Sequence, residues 1–214
     1  GNKILITAGP TYENLDPGRF VGNYSTGKMG FALAVSCASL GAEVCLIAGP
    51  VHLKANHPLI TRIDVETADE MYEVAVNNFS SMFGAILSAA VADFKPKYAS
   101  EQKLKRGKGN LVIEFVPNPD IAQKLGEMKS EKQFLVGFAL ETNEEEMNAQ
   151  GKMDRKNFDF IVLNSLKDEK AGFGFDTNKI TLLFRTGGTK KFELKSKLKV
   201  AEDIVAEIVN VIPK

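Results

Sequence analysis

Residues 22–30, GNYSTGKMG, gather the groups that hold an anion: Asn23, then Ser25, Thr26, Gly27 and Lys28 just ahead of an apolar helical period. Two hydroxyls, a lysine and the free amides at the positive end of a helix make a phosphate cradle. Gly22 to Lys28 also spells G-x-x-x-x-G-K, the opening of a P-loop. A P-loop starts directly after a strand and continues with Ser or Thr, whose hydroxyl ligates Mg²⁺. Here Met29 follows the lysine, and residues 10–21 separate the motif from the first strand pattern. A thioether is a poor ligand for a hard cation. The stretch therefore reads as an anion cradle of another kind, with a plain Ser/Thr-capped helix as the alternative.

Further candidates follow other apolar runs. LSAAVAD places Leu87, Ser88, Ala89 and Ala90 before Asp93. The small residues leave the backbone open to a ligand, and a carboxylate there can accept hydroxyls or merely cap the strand. In PNPDIA, Pro119 and Asp120 open a helix whose first amides, at Ile121 and Ala122, can meet a ligand. Lys103 lies in a run with Lys105, Arg106 and Lys108. On a mobile segment it can close over phosphates and exclude water; otherwise it is one solvated charge among several. Lys152 and Lys156 lie one helical turn apart, and alone they would be a solvated face. Phe138 fits plain core. Arg19 can grip a phosphate with two donors, or be a surface arginine.

The elements that must position these groups can be read from the periods. KILITAG (3–9), EVCLIAG (43–49), ITRIDV (60–65), GAILSAAVAD (84–93), LVIEFV (111–116), FLVGFA (134–139), FDFIVLN (158–164), KITLLFR (179–185) and KKFEL (190–194) read as strands. Helices are predicted from Lys28 to Gly41, from Thr67 with a capping-box pattern to Glu70, after PNPD, from about Glu144 to Lys156, and from Lys197 to Val211. The segment between the first strand and the cradle reads as irregular. Alternating strands and helices imply a Rossmann-like, mostly parallel sheet with helices on both faces. A C-terminal antiparallel hairpin and a lysine-rich mobile flap at about residues 95–110 complete one domain, residues 1–214. Ligands in such sheets lie beyond the carboxyl ends of the strands, where TAGPT, SAAVAD, PNPD and GFALET stand.

Lys+Arg and Asp+Glu are 27 each, so no global field favours nucleic acid or an anionic membrane. No apolar run approaches the roughly 20 residues of a membrane helix, and no signal peptide pattern opens the chain. Cys37 and Cys45, the only cysteines, read as two buried, reduced thiols. His52 and His57 have no ligand-like spacing to them, and no metal site is assigned.

TAGPT, DPGRFVGNYSTGKMG, LSAAVADF, KLK, PNPDI, VGFALET and GFGF, in that order along the whole chain, resemble phosphopantothenoylcysteine synthetase. That enzyme is often one half of the bifunctional coenzyme A biosynthesis flavoprotein. The resemblance implies that 4′-phosphopantothenate is activated by a nucleoside triphosphate, CTP in most bacteria and ATP in eukaryotes, and then coupled to cysteine. It implies Asn23 and Lys103 as catalytic residues. Nucleotide binding falls to Leu87, Ser88, Ala89, Asp93, Lys103, Pro119, Asp120, Ile121, Ala122, Phe138, Lys152 and Lys156. Arg19, Asn23 and Ala90 are expected at phosphopantothenate, with Arg19 reaching across a homodimer. Mg²⁺ or Mn²⁺ is expected with CTP, no flavin in this segment, a possible flavin-dependent decarboxylase domain fused to it, and a cytoplasmic setting. Gly22, Thr26 and Leu140 depart from common family spellings; Leu140 adjoins the expected base pocket. A dinucleotide-dependent oxidoreductase is the first alternative, but G-x-G-x-x-G is absent after the first strand. A non-catalytic nucleotide-binding module is the second.

Overall fold

The computed structural model describes residues 1–107, 109–141, 145–165 and 174–211. Its frame is an eight-stranded sheet. β1 (Lys3–Ala8) lies near the middle, flanked by β4 (Glu43–Ala48) and β6 (Gly84–Leu87). β5 (Ile60–Asp64) forms one edge beside β4, while β9 (Phe134–Glu141), β10 (Phe160–Ser165), β11 (Thr177–Phe184) and β12 (Thr189–Ser196) extend the other side. The first six strands in the order β5-β4-β1-β6-β9-β10 are parallel, and β11 and β12 run antiparallel. Gly187 and Gly188, both at positive φ, turn the β11–β12 hairpin. The Rossmann-like reading therefore holds.

Ile4 to Ala8 are all buried because helices cover both faces of the sheet. On one face α1 (Lys28–Ser39) and α5 (Lys197–Val211) contribute Leu33, Cys37, Val200 and Ile204 to a core with Ile6, Val136 and Val162. On the other, α2 (Ala68–Phe79), α3 (Ile121–Met128) and α4 (Glu145–Arg155) bury Met71, Phe79, Leu125 and Met153 against Leu5, Leu135 and Ile161. Thr67 caps α2, accepting from Glu70 N at 3.2 Å, while the Glu70 carboxylate accepts from Glu66 N. α4 runs through Gly151.

Four expectations need correction. Residues 10–21 are not all irregular: β2 (Glu13–Asp16) and β3 (Arg19–Val21) form a hairpin, clasped by stacked Tyr12 and Phe20 rings 3.7 Å apart. Its charged alternation hid it from a hydrophobic reading. The strand expected over 84–93 stops at Leu87, because the following amides bond to the β1 end instead. The strand expected over 111–116 is only β8 (Phe115–Pro117), paired with β7 (Phe94–Pro96); among the described residues Leu111 and Val112 pair with no strand, and they stay exposed. Cys37 is buried as expected, while Cys45 is only partly buried. Burial pushes the Cys37 thiol up to about 12 and raises Cys45 as well.

Candidate active site

From β1 the chain runs through α1 to β4 and β5 on one side, then crosses back through α2 to β6 on the other. The strand order thus reverses between β1 and β6. A crevice opens at such a point because the two following loops diverge. Gly9 and Pro10 leave β1 there, and the loop after β6 is stitched to them. Ser88 N and Ala89 N donate to the Thr7 carbonyl and hydroxyl, Ala90 N to Gly9 O, and Ala92 N to the Thr11 hydroxyl at 3.0 Å. From the far side Asn118 donates its amide to Ala92 O at 2.8 Å and its backbone N–H to Asp93 O at 2.9 Å.

The cradle sits above this loop. Asn23 Nδ2 donates to Ala90 O, and Asn23 Oδ1 accepts from Ser25 N at 3.0 Å. Two residues expected at the same substrate are therefore hydrogen-bonded to each other. No side chain caps α1. Gly27 holds that place at φ 76°, a conformation costly for any residue with a Cβ. Gly30 lets the helix lie directly on β1: a Cβ there would meet the Ala8 Cβ at 2.5 Å. The backbone of the first turn is thus open toward the crevice and close to the strand ends.

Two cavities flank the crevice. The first, about 390 Å³, is lined by Ser25, Thr26, Gly27 and Lys28 on one wall and Ser88, Ala89, Ala90 and Asp93 on another. The second, about 240 Å³, is lined by Leu87, Ala89 and Asp93, by Pro119, Asp120, Ile121 and Ala122, and by Lys152 and Lys156. Phe138 borders both. Asp120 caps α3, accepting from Gln123 N at 3.0 Å, and pairs with Lys156 at 2.9 Å. Burial raises its carboxyl, but the Gln123 amide and Lys156 outweigh that and leave it below the usual range.

Lys103 and Arg19 line neither cavity. Lys103 is exposed, beside Leu104. Among the described residues the expected flap carries no helix or strand between β7 and β8, yet it is fastened: Ser100 N donates to Leu15 O at 2.9 Å, and Leu104 N to Asp16 Oδ2 at 3.0 Å. Arg19 joins this knot, donating from Nε to Asp16 at 2.9 Å and from Nη2 to Asp16 and to Leu104 O. The Arg19 hydrogen bonds, then those from Leu104 and Gly18 against an opposing desolvation, hold the Asp16 carboxyl far below the usual carboxylate range. Lys108, Thr142 of GFALET, and Gly172 and Phe173 of GFGF lie outside the described residues.

The structure adds groups that the sequence reading passed over. Lys197, Asn178 and Asn164 line the first cavity and Asn118 the second. Asn164 Oδ1 and Asn118 Oδ1 are shielded from solvent and have no hydrogen-bond donor among the described residues. Met29, where a P-loop has its hydroxyl, is instead 3.9 Å from Asn178 Nδ2 through its sulfur. One signal was available: Lys197 is the first residue of α5, where a cation opposes the helix dipole.

Among the described residues no three His, Cys, Asp or Glu converge as a metal cage, and no helix is long and apolar enough to cross a membrane. Comparison with known proteins agrees with the fold. A protein from an unknown prokaryotic organism, named cysteine/cysteine sulfinic acid decarboxylase, is 52% identical over 212 residues, 99% of this chain and 59% of its own length. The coenzyme A biosynthesis bifunctional protein CoaBC of Bacillus subtilis (strain 168) is 45% identical over 208 residues, 97% of this chain and 51% of its own length. The chain thus spans little more than half of these relatives. A crystal structure of the C-terminal domain of a CoaBC protein superposes with a TM-score of 0.82 at 39% identity, covering 97% of this chain and 94% of that one. The family described as DNA/pantothenate metabolism flavoprotein C-terminal domain matches residues 1–212, and the chain belongs to it.

Proposed function

We propose that this chain is a phosphopantothenate–cysteine ligase acting in coenzyme A biosynthesis, with CTP as the favoured nucleotide. The observation that carries the reading is the join between the cradle and the loop after β6: Asn23, which lines neither cavity itself, is fixed to Ala90 in the wall of the first, and the two cavities share Phe138. The names of the CoaBC relatives support the pathway. Because both cavities share one wall, residues 1–214 are read as one catalytic domain.

In the first step a carboxylate oxygen of 4′-phosphopantothenate attacks the α-phosphorus of CTP, and the bond to the β-bridging oxygen breaks to release pyrophosphate. In the second, the cysteine amine attacks the acyl carbon, the acyl–phosphate bond breaks, CMP leaves, and the amine proton passes to solvent. Negative charge grows on phosphoryl oxygens and then on the acyl oxygen, so positioned donors do the catalysis. Ser25, Thr26, the first amides of α1 and Lys28 hold phosphate oxygens. Asn23 Nδ2 carries two hydrogens; Ala90 O takes one and orients the other toward the acyl oxygen. The base lies against Phe138 between Ala89 and the α3 start, with Lys152 and Lys156 beside it, and Asp93 meets the ribose. Lys103 reaches the triphosphate when its segment closes. A divalent cation, Mg²⁺ or Mn²⁺, fits as a passenger on the phosphates, with Asp93 as the carboxylate bordering both cavities.

Arg19 spends Nε and Nη2 within its own chain, leaving Nη1 for a partner's phosphopantothenate. We infer a homodimer formed through the β2–β3 hairpin and the β7–β8 ribbon, supported by the exposure there of Phe20, Leu111, Val112 and Phe115. A flavin-dependent decarboxylase domain in the full protein and a cytoplasmic setting are part of the proposal; the words bifunctional, decarboxylase and flavoprotein in the relatives' names support the first. The decarboxylation named for one relative is not assigned to this region, since neither Cys nor His lines the two cavities. The test is product formation: purified protein given 4′-phosphopantothenate, cysteine and Mg²⁺ should yield 4′-phosphopantothenoylcysteine with CTP, and less with ATP. Absence of product with either nucleotide would overturn the assignment.

A further inference from the structure

Asp93 borders both cavities, and two side chains outside the nucleotide reading hold the backbone that carries it. Ala92 O and Asp93 O belong to the two peptides that flank the Asp93 Cα. Both accept from Asn118, the first from Nδ2 at 2.8 Å and the second from the backbone N–H at 2.9 Å. The peptide before them is held from the opposite side, where Ala92 N donates to the Thr11 hydroxyl at 3.0 Å. Thr11 is wholly buried, and its neighbour Pro10 bridges to Ala90, so this anchor belongs to the end of β1. Asn118 in turn leads into Pro119 and Asp120 on the far wall of the second cavity. Backbone fixed on both sides of a Cα leaves its Cβ one direction, and breaking these bonds would strand buried polar groups. A site side chain keeps its aim when its supporting shell is held in this way.

We propose that Thr11 and Asn118 are positioning residues for Asp93, aiming its carboxylate at the ribose hydroxyls of the bound nucleotide. The inference rests on the ligase reading, which gives Asp93 that contact, and adds the two residues that make it directional. The competing role is a plain structural tie between the β1 end, the loop after β6 and the start of α3. A tie would lower stability or weaken every ligand alike, whereas a positioning role changes the response to hydroxyls alone.

The experiment is calorimetric titration of the purified chain with Mg²⁺ and CTP, 2′,3′-dideoxy-CTP or inorganic pyrophosphate, in wild type, Thr11→Val, Thr11→Ser, Asn118→Ala and Asp93→Asn. Wild type should bind CTP about tenfold more tightly than the dideoxy nucleotide. Thr11→Val and Asn118→Ala should bring that ratio below about threefold, with pyrophosphate affinity changed less than about twofold. Thr11→Ser keeps the hydroxyl and should keep the ratio. Thr11→Val added to Asp93→Asn should lower the ratio no further than Asp93→Asn alone, because both act through one carboxylate. If Thr11→Val does not fold, Asn118→Ala decides, since it leaves Thr11 and the Asn118 backbone bond in place. A ratio kept in both variants, or an equal fall for all three ligands, would overturn the proposal and leave the two side chains as ties. Wild type that binds both nucleotides alike would overturn it too, while the ligase reading stands if product still forms. Wild type that binds none of the three would remove both.

Discussion

At the scale of single residues, the site depends on side chains that are held before any ligand arrives. Asn23 uses its oxygen on Ser25 N and one amide hydrogen on Ala90 O, so its remaining hydrogen has one direction. Asn23→Ala should lower turnover by about 10²–10³, the cost of losing one oxyanion donor, with nucleotide affinity little changed; steady-state kinetics and titration together check this. Cys37, with its thiol pushed up to about 12, should resist a thiol reagent at pH 8 in the native protein and react once unfolded, while partly buried Cys45 reacts first. The hydroxyls, the lysine and the small residues of the cradle were legible because they are neighbours in sequence. Lys197 and Asn178 were not. They come from the far end of the chain and reach the cavity only because α5 packs beside α1 and β11 lies two strands from β9. Asn118 was legible as part of PNPD, but its role in tying two loops together appears only in three dimensions.

At the scale of elements, α1 acts through its approach to β1. Gly30→Ala should be strongly destabilising, since its Cβ would meet Ala8 where both the helix and the strand are buried. Gly27→Ala should cost about 1–2 kcal/mol from its left-handed backbone alone; chemical denaturation of the two variants ranks them. The knot of Asp16, Arg19 and Leu104 sets a pH dependence. The folded Asp16 pKa lies below its unfolded value, so the unfolded chain takes up the proton first as pH falls. The stabilisation is complete above the ordinary carboxylate range, near 4, and erodes below it. Asp16→Asn should lower the unfolding temperature at pH 7 and narrow its gap to wild type at pH 3. Strands with both faces covered were legible as apolar runs. The β2–β3 hairpin was not, because Glu13 and Asp16 are buried polar residues satisfied by partners far along the chain, Ala68 N and Leu104 N.

At the scale of the whole molecule, the strand order places two loops, two helix starts and two cavities around the reversal between β1 and β6. Six parallel strands and the C-terminal hairpin followed from the alternation of periods, but the position of β1 between β4 and β6 did not, since pairing is decided by packing. The exposed apolar residues on and beside the β2–β3 and β7–β8 ribbons carry a prediction at this scale. Val112→Glu combined with Phe20→Ser should turn the proposed dimer into a monomer in sedimentation without unfolding it; an unchanged dimer would move the interface elsewhere, and a monomeric wild type would remove the dimer from the proposal. The central claim is acyl activation at the cradle followed by transfer to cysteine. Mass spectrometry of Asn23→Ala incubated with CTP, Mg²⁺ and 4′-phosphopantothenate tests it most directly. The account predicts an acyl-cytidylate that accumulates, one per site, and that is barely consumed when cysteine is added, whereas wild type converts it to 4′-phosphopantothenoylcysteine and CMP. Folded wild type and variant that form neither acyl-cytidylate nor pyrophosphate would contradict it.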